Sequence, residues 1–196
     1  TEGFDLALGE TPDGFTVEVG TERGRAIADA LPLTDADARA RETVEAGGRH
    51  AARSQTRALD PHGLPEALRD AAESPHWESV AQRCLACGNC TQVCPTCFCT
   101  EVHDTTDLDG DTAHRTRVWD SCFHLDFSRV HGGPVRASVA ARYRHWITHK
   151  LSTWVDQFDS LGCVGCGRCV AWCPTGIDFV AEAAAARARR ETRKQP

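Results

Sequence analysis

The sequence predicts a mainly helical protein with a small amount of β structure. Three observations support this fold class. Capping residues and Pro/Gly breakers delimit several helical segments, apolar and polar residues alternate near the start, and a long later stretch is rich in cysteine. The 196 residues suit one domain or two small ones. A hydrophobic content of 41% is ordinary for a globular protein and excludes a wholly disordered chain.

The charge and the apolar pattern exclude several classes of protein. A net charge of −6 argues against binding to nucleic acid or to an anionic membrane, because both require a basic face. No apolar run approaches the roughly 20 residues that span a bilayer, and no signal-peptide pattern is present. The 11 cysteines are an odd number, so they cannot all pair in internal disulfides. We therefore expect a cytoplasmic protein with no nucleic-acid partner and no membrane span.

Residues 1–62 are predicted to form a partial N-terminal region, a β hairpin followed by a polar helix. Phe4–Leu8 and Phe15–Val19 alternate apolar and polar residues, and Thr11–Gly14 supplies the turn between them. A hairpin with a few helices is a poor domain by itself. The sequence also begins at Thr1 and contains no Met, so we expect that this region completes a fold that began before Thr1.

Helices are predicted through much of the remaining chain. A helix over Glu22–Leu31 precedes a polar segment, residues 34–58, which we expect to be a solvated helix capped by Thr34 and Asp35. Three further helices are predicted. The first covers Pro65–Ala72, the second is capped by Ser74 and runs into Cys84, and the third covers Ile177–Arg190. Residues 63–196 are assigned to one domain, which holds all the cysteines.

One internal repeat dominates this domain. Cys84–Pro95 and Cys163–Pro174 both read C-x2-C-x2-C-x3-C-P, with Gly directly after the second Cys. This spacing is typical of bacterial ferredoxins that bind [4Fe–4S] clusters, because closely spaced thiolates wrap a loop around one cubane and the Gly lets the backbone approach it. Structural zinc uses two separated C-x2-C pairs, and a disulfide framework requires an exported chain. The repeat therefore predicts two [4Fe–4S] clusters.

The fourth Cys of each run is expected to bind the cluster of the other run, as it does in two-cluster ferredoxins. We also expect each fourth Cys to lie at the start of a helix. Cluster I is assigned to Cys84, Cys87, Cys90 and Cys173. Cluster II is assigned to Cys163, Cys166, Cys169 and Cys94. The predicted fold is a helical two-cluster (2×[4Fe–4S]) ferredoxin-type domain with a long insertion, Pro95–Gly162, between the cluster motifs, preceded by a short β hairpin.

Three cysteines remain outside the repeat: Cys97, Cys99 and Cys122. One interpretation is that they are buried thiols, which pack near the clusters as small hydrophobic groups. The other is a third iron–sulfur site, in which the three thiolates are joined by His124, by His103 or by a cysteine of a partner. The sequence leaves both interpretations open.

Basic residues near the cysteine runs bear on the electrostatics of the clusters. Arg168 in the second run stands where the first run has Asn89. A guanidinium that faces the sulfides raises the reduction potential of a cluster, whereas one that points into solvent does not. Arg142–Lys150 is both basic and aromatic, and we expect it to form a helix beside the anionic clusters or against a partner protein.

The cysteine-rich region resembles one particular family. The segments that carry the resemblance are Arg83–Cys99, Arg117–Cys122, Arg142–Lys150 and Gly162–Cys169. Over roughly Leu64–Asp178 the chain is similar to the iron–sulfur (beta) subunits of soluble NAD(P)-linked [NiFe]-hydrogenases, also called sulfhydrogenases, and to the electron-transfer subunits of anaerobic sulfite reductases. The Cys-Pro-Thr-Cys-Phe-Cys and Trp-Asp-Ser-Cys elements make the resemblance more specific than the two runs alone. They also favour a role beyond packing for the three remaining cysteines.

The resemblance implies an electron-transfer subunit with no catalytic site of its own. In this family electrons pass between a flavin subunit that handles NAD(P)H and a catalytic subunit, which holds [NiFe] in hydrogenases or siroheme in sulfite reductases. We therefore expect a cytoplasmic relay in a hydrogenase-type complex. The alternatives are the electron-transfer subunit of an anaerobic sulfite reductase and a redox-sensing or structural iron–sulfur protein.

Overall fold

The structure, a computed structural model, describes residues 3–194, and these divide into two compact units. One unit ends at Arg57 and the other begins at Ala58. The boundary expected from the sequence lies after residue 62, and the domain limits stay a prediction. The predicted truncation concerns Thr1, which lies outside the described residues.

The N-terminal unit contains the predicted β hairpin and two helices. Its strands, β1 (Leu6–Thr11) and β2 (Gly14–Val19), are antiparallel, and the turn between them lies where the sequence predicts it. The first helix, α1 (Glu22–Ala28), begins behind Thr21, whose hydroxyl accepts a hydrogen bond of 3.1 Å from the N–H of Gly24. A hydroxyl in this position satisfies one of the free N–H groups at a helix start.

The second helix of this unit, α2, spans Ala38–Ser54 and buries none of its residues, as its polar composition predicts. The prediction that Thr34 and Asp35 cap this helix is wrong. Asp37 is the cap, because its carboxylate accepts a hydrogen bond of 2.7 Å from the N–H of Ala40. Asp is a preferred cap residue, and the segment contains both Asp35 and Asp37, so the sequence pattern alone does not show which of the two caps the helix.

The C-terminal unit is built mainly from helices. They are α3 (Leu64–Asp70), α4 (His76–Ala81), α5 (Asn89–Gln92), α6 (Val139–Thr148), α7 (Trp154–Phe158), α8 (Arg168–Ala171) and α9 (Phe179–Lys194), with a π-helical turn (His149–Thr153) between α6 and α7. The core lies among α3, α4, α6, the π-helical turn and α9. Its fully buried side chains include Leu64, Leu68, Val80, Ile147 and Leu151. Within residues 3–194, no helix is both long and apolar enough to cross a membrane.

The insertion between the cysteine runs contains β structure that the sequence did not predict. β3 (Thr100–Thr106) and β4 (Ala113–Trp119) form an antiparallel hairpin whose residues are all exposed. A short pair, β5 (Arg129–Val130) and β6 (Gly133–Pro134), follows it. The insertion then returns to the core through α6, the π-helical turn and α7. The mainly helical fold class with small sheets is confirmed, but the insertion is more β-rich than expected.

Candidate metal centre

The two cysteine runs fold in the same way. In each run the Gly after the second Cys is left-handed, with φ of 72° at Gly88 and 71° at Gly167, and it starts the short helix α5 or α8. The residue before the second Cys is also left-handed in both runs, with φ of 52° at Ala86 and 70° at Gly165. Such angles are costly for a residue with a side chain, so their recurrence indicates a loop shape that the site requires. The repeat in the sequence is thus a repeat in the backbone.

The runs lie side by side, since α5 and α8 contact each other. Asn89 of α5 donates a hydrogen bond of 2.6 Å to the carbonyl of Trp172 in the second run. The prediction that each fourth Cys lies at a helix start is wrong. Cys173 lies in a turn that the N–H of Gly176 closes at 3.1 Å, and α9 begins only at Phe179. The Pro after each fourth Cys belongs to a turn of this kind, and the turn orients the thiol without a helix.

A cavity lies against the first run. Its wall includes the four cysteines that the sequence assigns to cluster I: Cys84, Cys87, Cys90 and Cys173. The rest of the wall is largely apolar and aromatic, with Leu85, Phe123, Tyr143, Trp146, Ile177 and Phe179. Thiolates on an apolar wall match the ligands and the surroundings of an iron–sulfur cluster.

A second cavity lies against the second run. Its wall includes the four cysteines that the sequence assigns to cluster II: Cys94, Cys163, Cys166 and Cys169. The two cavities are neighbours, because Cys169, Trp146 and Phe179 lie on the walls of both. The cavities therefore group the cysteines in the crossed arrangement, although which cysteine binds which cluster stays a prediction.

The arrangement of the thiols suits a cubane better than a single ion. All eleven cysteines are free thiols. Among residues 3–194, no three Cys, His, Asp or Glu side chains lie close enough together to hold one metal ion. A [4Fe–4S] cubane spreads its thiolates apart, because each of them binds a different iron atom. Four sulfur donors around an open space thus fit the cluster, and the described residues offer no compact zinc site.

Burial and hydrogen bonds control the protonation of the cavity thiols. Burial raises the pKa of Cys90 far above the ordinary thiol range and raises the pKa of Cys169 to about 11. At Cys94 a hydrogen bond from the Cys97 thiol is the largest cause and, with help from Thr96, lowers the pKa to about 4. Because iron binds thiolates, cluster binding must release the protons that Cys90 and Cys169 carry.

The three cysteines outside the runs form two separate contacts. Cys97 adjoins Cys94, and its pKa is raised because it donates its proton to that neighbour. Cys99 adjoins the buried Cys122, whose hydrogen bond lowers the pKa of Cys99 to about 6. The hydrogen bonds therefore join these thiols in pairs, and the charge of Cys97 also contributes to the raised pKa of Cys122.

The two histidines considered for a third site have other contacts. His124 binds Asp120 through Nδ1, and its side chain is half exposed. His103 lies on β3, where its Nε2 is 3.5 Å from a carboxylate oxygen of Glu101. The described contacts of these histidines thus involve carboxylates, and the third site stays a prediction.

The segment Arg142–Lys150 lies beside the cavities, in agreement with its predicted position next to the clusters. Tyr143 and Trp146 are on the wall of the first cavity, and the buried Lys150 is on the wall of the second. Arg168 is exposed and is absent from both walls. Of the two interpretations of Arg168, the structure therefore favours the one in which its guanidinium points into solvent.

A buried polar network that sequence reasoning missed supports the first run. Ser121 follows β4, and its hydroxyl lies 2.7 Å from that of Thr91 on α5. The Thr91 hydroxyl also donates a hydrogen bond of 2.7 Å to the carbonyl of Gly88. A Cβ on Gly88 would approach the Ser121 hydroxyl to 2.9 Å, so only Gly fits this contact. The Ser next to Cys122 was the only signal of this network in the sequence.

Comparison with known proteins agrees with this centre. Residues 83–177 match the family described as the 4Fe–4S dicluster domain. Over 185 residues the chain is 37% identical to the sulfhydrogenase 2 subunit beta of Pyrococcus furiosus, a match that covers 91% of this chain and 54% of that relative. The chain thus spans about half the length of this curated relative. No solved structure matches the chain significantly.

These matches confirm the resemblance seen in the cysteine-rich region. The dicluster match begins before the first cysteine run and ends after the second, so it includes both cavities and the insertion. The match to the sulfhydrogenase beta chain extends well beyond that region. We conclude that residues 83–177 belong to the 4Fe–4S dicluster domain family and that the chain is a homologue of the sulfhydrogenase beta subunit.

Proposed function

We propose that this chain relays electrons through two [4Fe–4S] clusters, between a subunit that binds flavin and NAD(P)H and a [NiFe]-hydrogenase catalytic subunit. One observation carries the proposal. Two neighbouring cavities share Cys169, Trp146 and Phe179, and the wall of each includes the four cysteines assigned to one cluster. Clusters bound in adjacent cavities are close enough to exchange electrons. The hydrogenase subunit to which the chain is similar supports the choice of partners.

Each cavity also reaches the protein surface, which a relay requires at both ends. Cys87 of the first run and Cys166 of the second are exposed. Leu85 and Val164 hold equivalent places in the two loops and are 66% and 65% exposed. An apolar exposed residue beside an exposed ligand suits the approach of a partner's redox group. The two loops are therefore the proposed contact points for the flavin side and the catalytic side.

The chain's own residues bind, orient and shield the clusters in this proposal. Four thiolates hold each cluster, and the crossed ligands Cys94 and Cys173 tie the two runs together. Each bound cluster supplies reversible one-electron transfer. Trp146 and Phe179 exclude water from the space between the sites and keep the local dielectric low. We place the complex in the cytoplasm, where reducing conditions preserve free thiols.

Two other functions are alternatives to the hydrogenase relay. The electron-transfer subunit of an anaerobic sulfite reductase needs the same two clusters but a siroheme partner. A redox sensor or a structural iron–sulfur protein needs neither partner, and a sensor also needs a site for regulatory DNA or a ligand. The net charge of −6 makes a DNA-binding sensor the weaker candidate.

Purification of the native complex tests the proposed partners. We expect the chain to copurify with a flavoprotein and a nickel-containing protein, and we expect the complex to reduce NADP⁺ with hydrogen. Sulfite-dependent oxidation of NADH, together with bound siroheme, would identify the sulfite reductase alternative. A chain that retains its clusters but purifies without either partner would contradict the relay.

The three cysteines outside the runs leave two proposals for the number of clusters. We favour packing thiols, because the described contacts join Cys97 to Cys94 and Cys99 to Cys122. The alternative is a third cluster on Cys97, Cys99 and Cys122, completed by His124 or His103. The two proposals differ by one cubane, so they predict about eight and about twelve iron atoms per chain.

A further inference from the structure

Lys150 is a buried cation with no carboxylate partner in the described part of the chain. Its exposed fraction is 3%. Its Nζ donates hydrogen bonds to Thr96 Oγ1 at 2.7 Å and to the carbonyl of Gly162 at 3.0 Å, and it lies 4.9 Å from the ring centroid of Trp154. These contacts fix the ammonium group but do not neutralise it. A buried charge without a counter-charge is costly, so its position needs an explanation.

The second cavity supplies the counter-charge. Lys150 shares that wall with Cys94, Cys163, Cys166 and Cys169. The Thr96 hydroxyl lies 3.2 Å from Cys94 Sγ and 2.7 Å from Lys150 Nζ, so a single hydroxyl separates the cation from a proposed cluster ligand. A cubane held by four thiolates is anionic, and reduction adds one more negative charge.

The backbone at this position is also unusual. Lys150 lies in the π-helical turn His149–Thr153, between the α-helices α6 and α7. π-Helical turns inside helices occur frequently at functional sites, because the extra residue changes the direction of the side chains. Here the turn holds Lys150 on the cavity wall. Arg142 interacts electrostatically with Cys84 of the first run, but it is on the wall of neither cavity.

We propose that Lys150 is a positioning residue whose charge raises the reduction potential of the cluster in the second cavity. This role rests on the proposed electron relay. A fixed cation stabilises the reduced, more negative state more than the oxidised state, and burial keeps solvent and salt from screening it. The cluster of the second cavity therefore has a higher potential than it would have without the charge of Lys150.

A redox titration of the cluster-loaded protein, monitored by electron paramagnetic resonance, tests this role. Lys150→Met and Lys150→Gln remove the charge, and Lys150→Arg keeps it. In both neutral variants we expect the reduced-to-oxidised ratio of the cluster in the second cavity to fall at least tenfold at a fixed solution potential, which corresponds to about 59 mV for one electron. The ratio of the cluster in the first cavity should not change, and Lys150→Arg should keep most of the original ratio in the second cavity.

Arg144→Gln is the matched control, because it removes a cation from α6 that is on neither cavity wall and that pairs with Glu73 at 3.3 Å. It should leave both potentials unchanged. Neutral variants that load both clusters at unchanged potentials would overturn the proposal, as would an equal shift in Arg144→Gln. Loss of one cluster from the neutral variants but not from Lys150→Arg would support a charge role, and loss from all three would indicate packing and overturn it. Clusters that cannot be reduced in the unsubstituted protein would overturn the relay itself, and this role with it.

Discussion

Removal of the iron is expected to unfold most of the unit that begins at Ala58. The aromatic side chains of Trp146 and Phe179 lie on the walls of both cavities, so the loss of both clusters leaves open space beside the core. The short helices α5 and α8 have only four residues each and are too short to be stable alone. Binding of structural metal contributes on the order of 10 kcal/mol to folding, which matches the whole stability of a typical domain.

Hydrogen exchange with mass spectrometry, before and after anaerobic chelation of the iron, measures this effect. We expect the amides of α6 and α9 to lose their protection when the iron is removed. The β1–β2 hairpin is an internal control, since its unit contains no cysteine and its exchange should not depend on iron. Equal protection of α6 and α9 with and without iron would show that the clusters do not stabilise the fold.

Two double cysteine variants should retain different amounts of bound iron. In the crossed arrangement Cys84→Ala with Cys173→Ala damages one cluster, and about half of the iron should remain. Cys84→Ala with Cys94→Ala damages both clusters, and most of the iron should be lost. Both variants lack two thiols, so the number of ligands removed does not explain a difference between them.

The pairing is contradicted if the two results are exchanged, because that outcome places Cys94 on the cluster of its own run. Cys97 adjoins Cys94 and could replace it as a ligand, so both variants are compared in a Cys97→Ala background. The unsubstituted protein should bind about eight iron atoms per chain, and about twelve would indicate the third cluster.

The sequence predicted the cluster loops well because the chemistry of a cubane restricts them. Thiolates at fixed spacing and a Gly after the second Cys leave few backbone conformations, and both Gly88 and Gly167 adopt the left-handed one. The wall of each cavity includes the four cysteines that the crossed assignment gives to one cluster, while Cys169 lies on both walls, and the assignment itself stays a prediction. These features depend on residues that are close in the sequence or that repeat.

Features that depend on packing between distant segments were missed. The hairpin of Thr100–Thr106 and Ala113–Trp119 had a local signal, an Asp-Gly turn between segments rich in Thr and Val, but its exposed and charged surface hid the alternation. Arg168 was a candidate for tuning a cluster because it lies inside a cysteine run. Lys150 lies on the wall of the second cavity. The sequence predicted that its segment lies beside the clusters, but not its hydrogen bond to Thr96, which depends on how the helix α6 packs.

The most direct test of the relay is a redox titration of the unsubstituted protein, followed by electron paramagnetic resonance. We expect two clusters that are reduced and reoxidised reversibly by one electron each, at low potentials on the order of −400 mV, the region of low-potential ferredoxins. Of the two midpoints, that of the cluster in the second cavity should depend on the charge of Lys150. Clusters that stay oxidised under strong reductant, or that are destroyed when reduced, would contradict the relay and indicate a structural role.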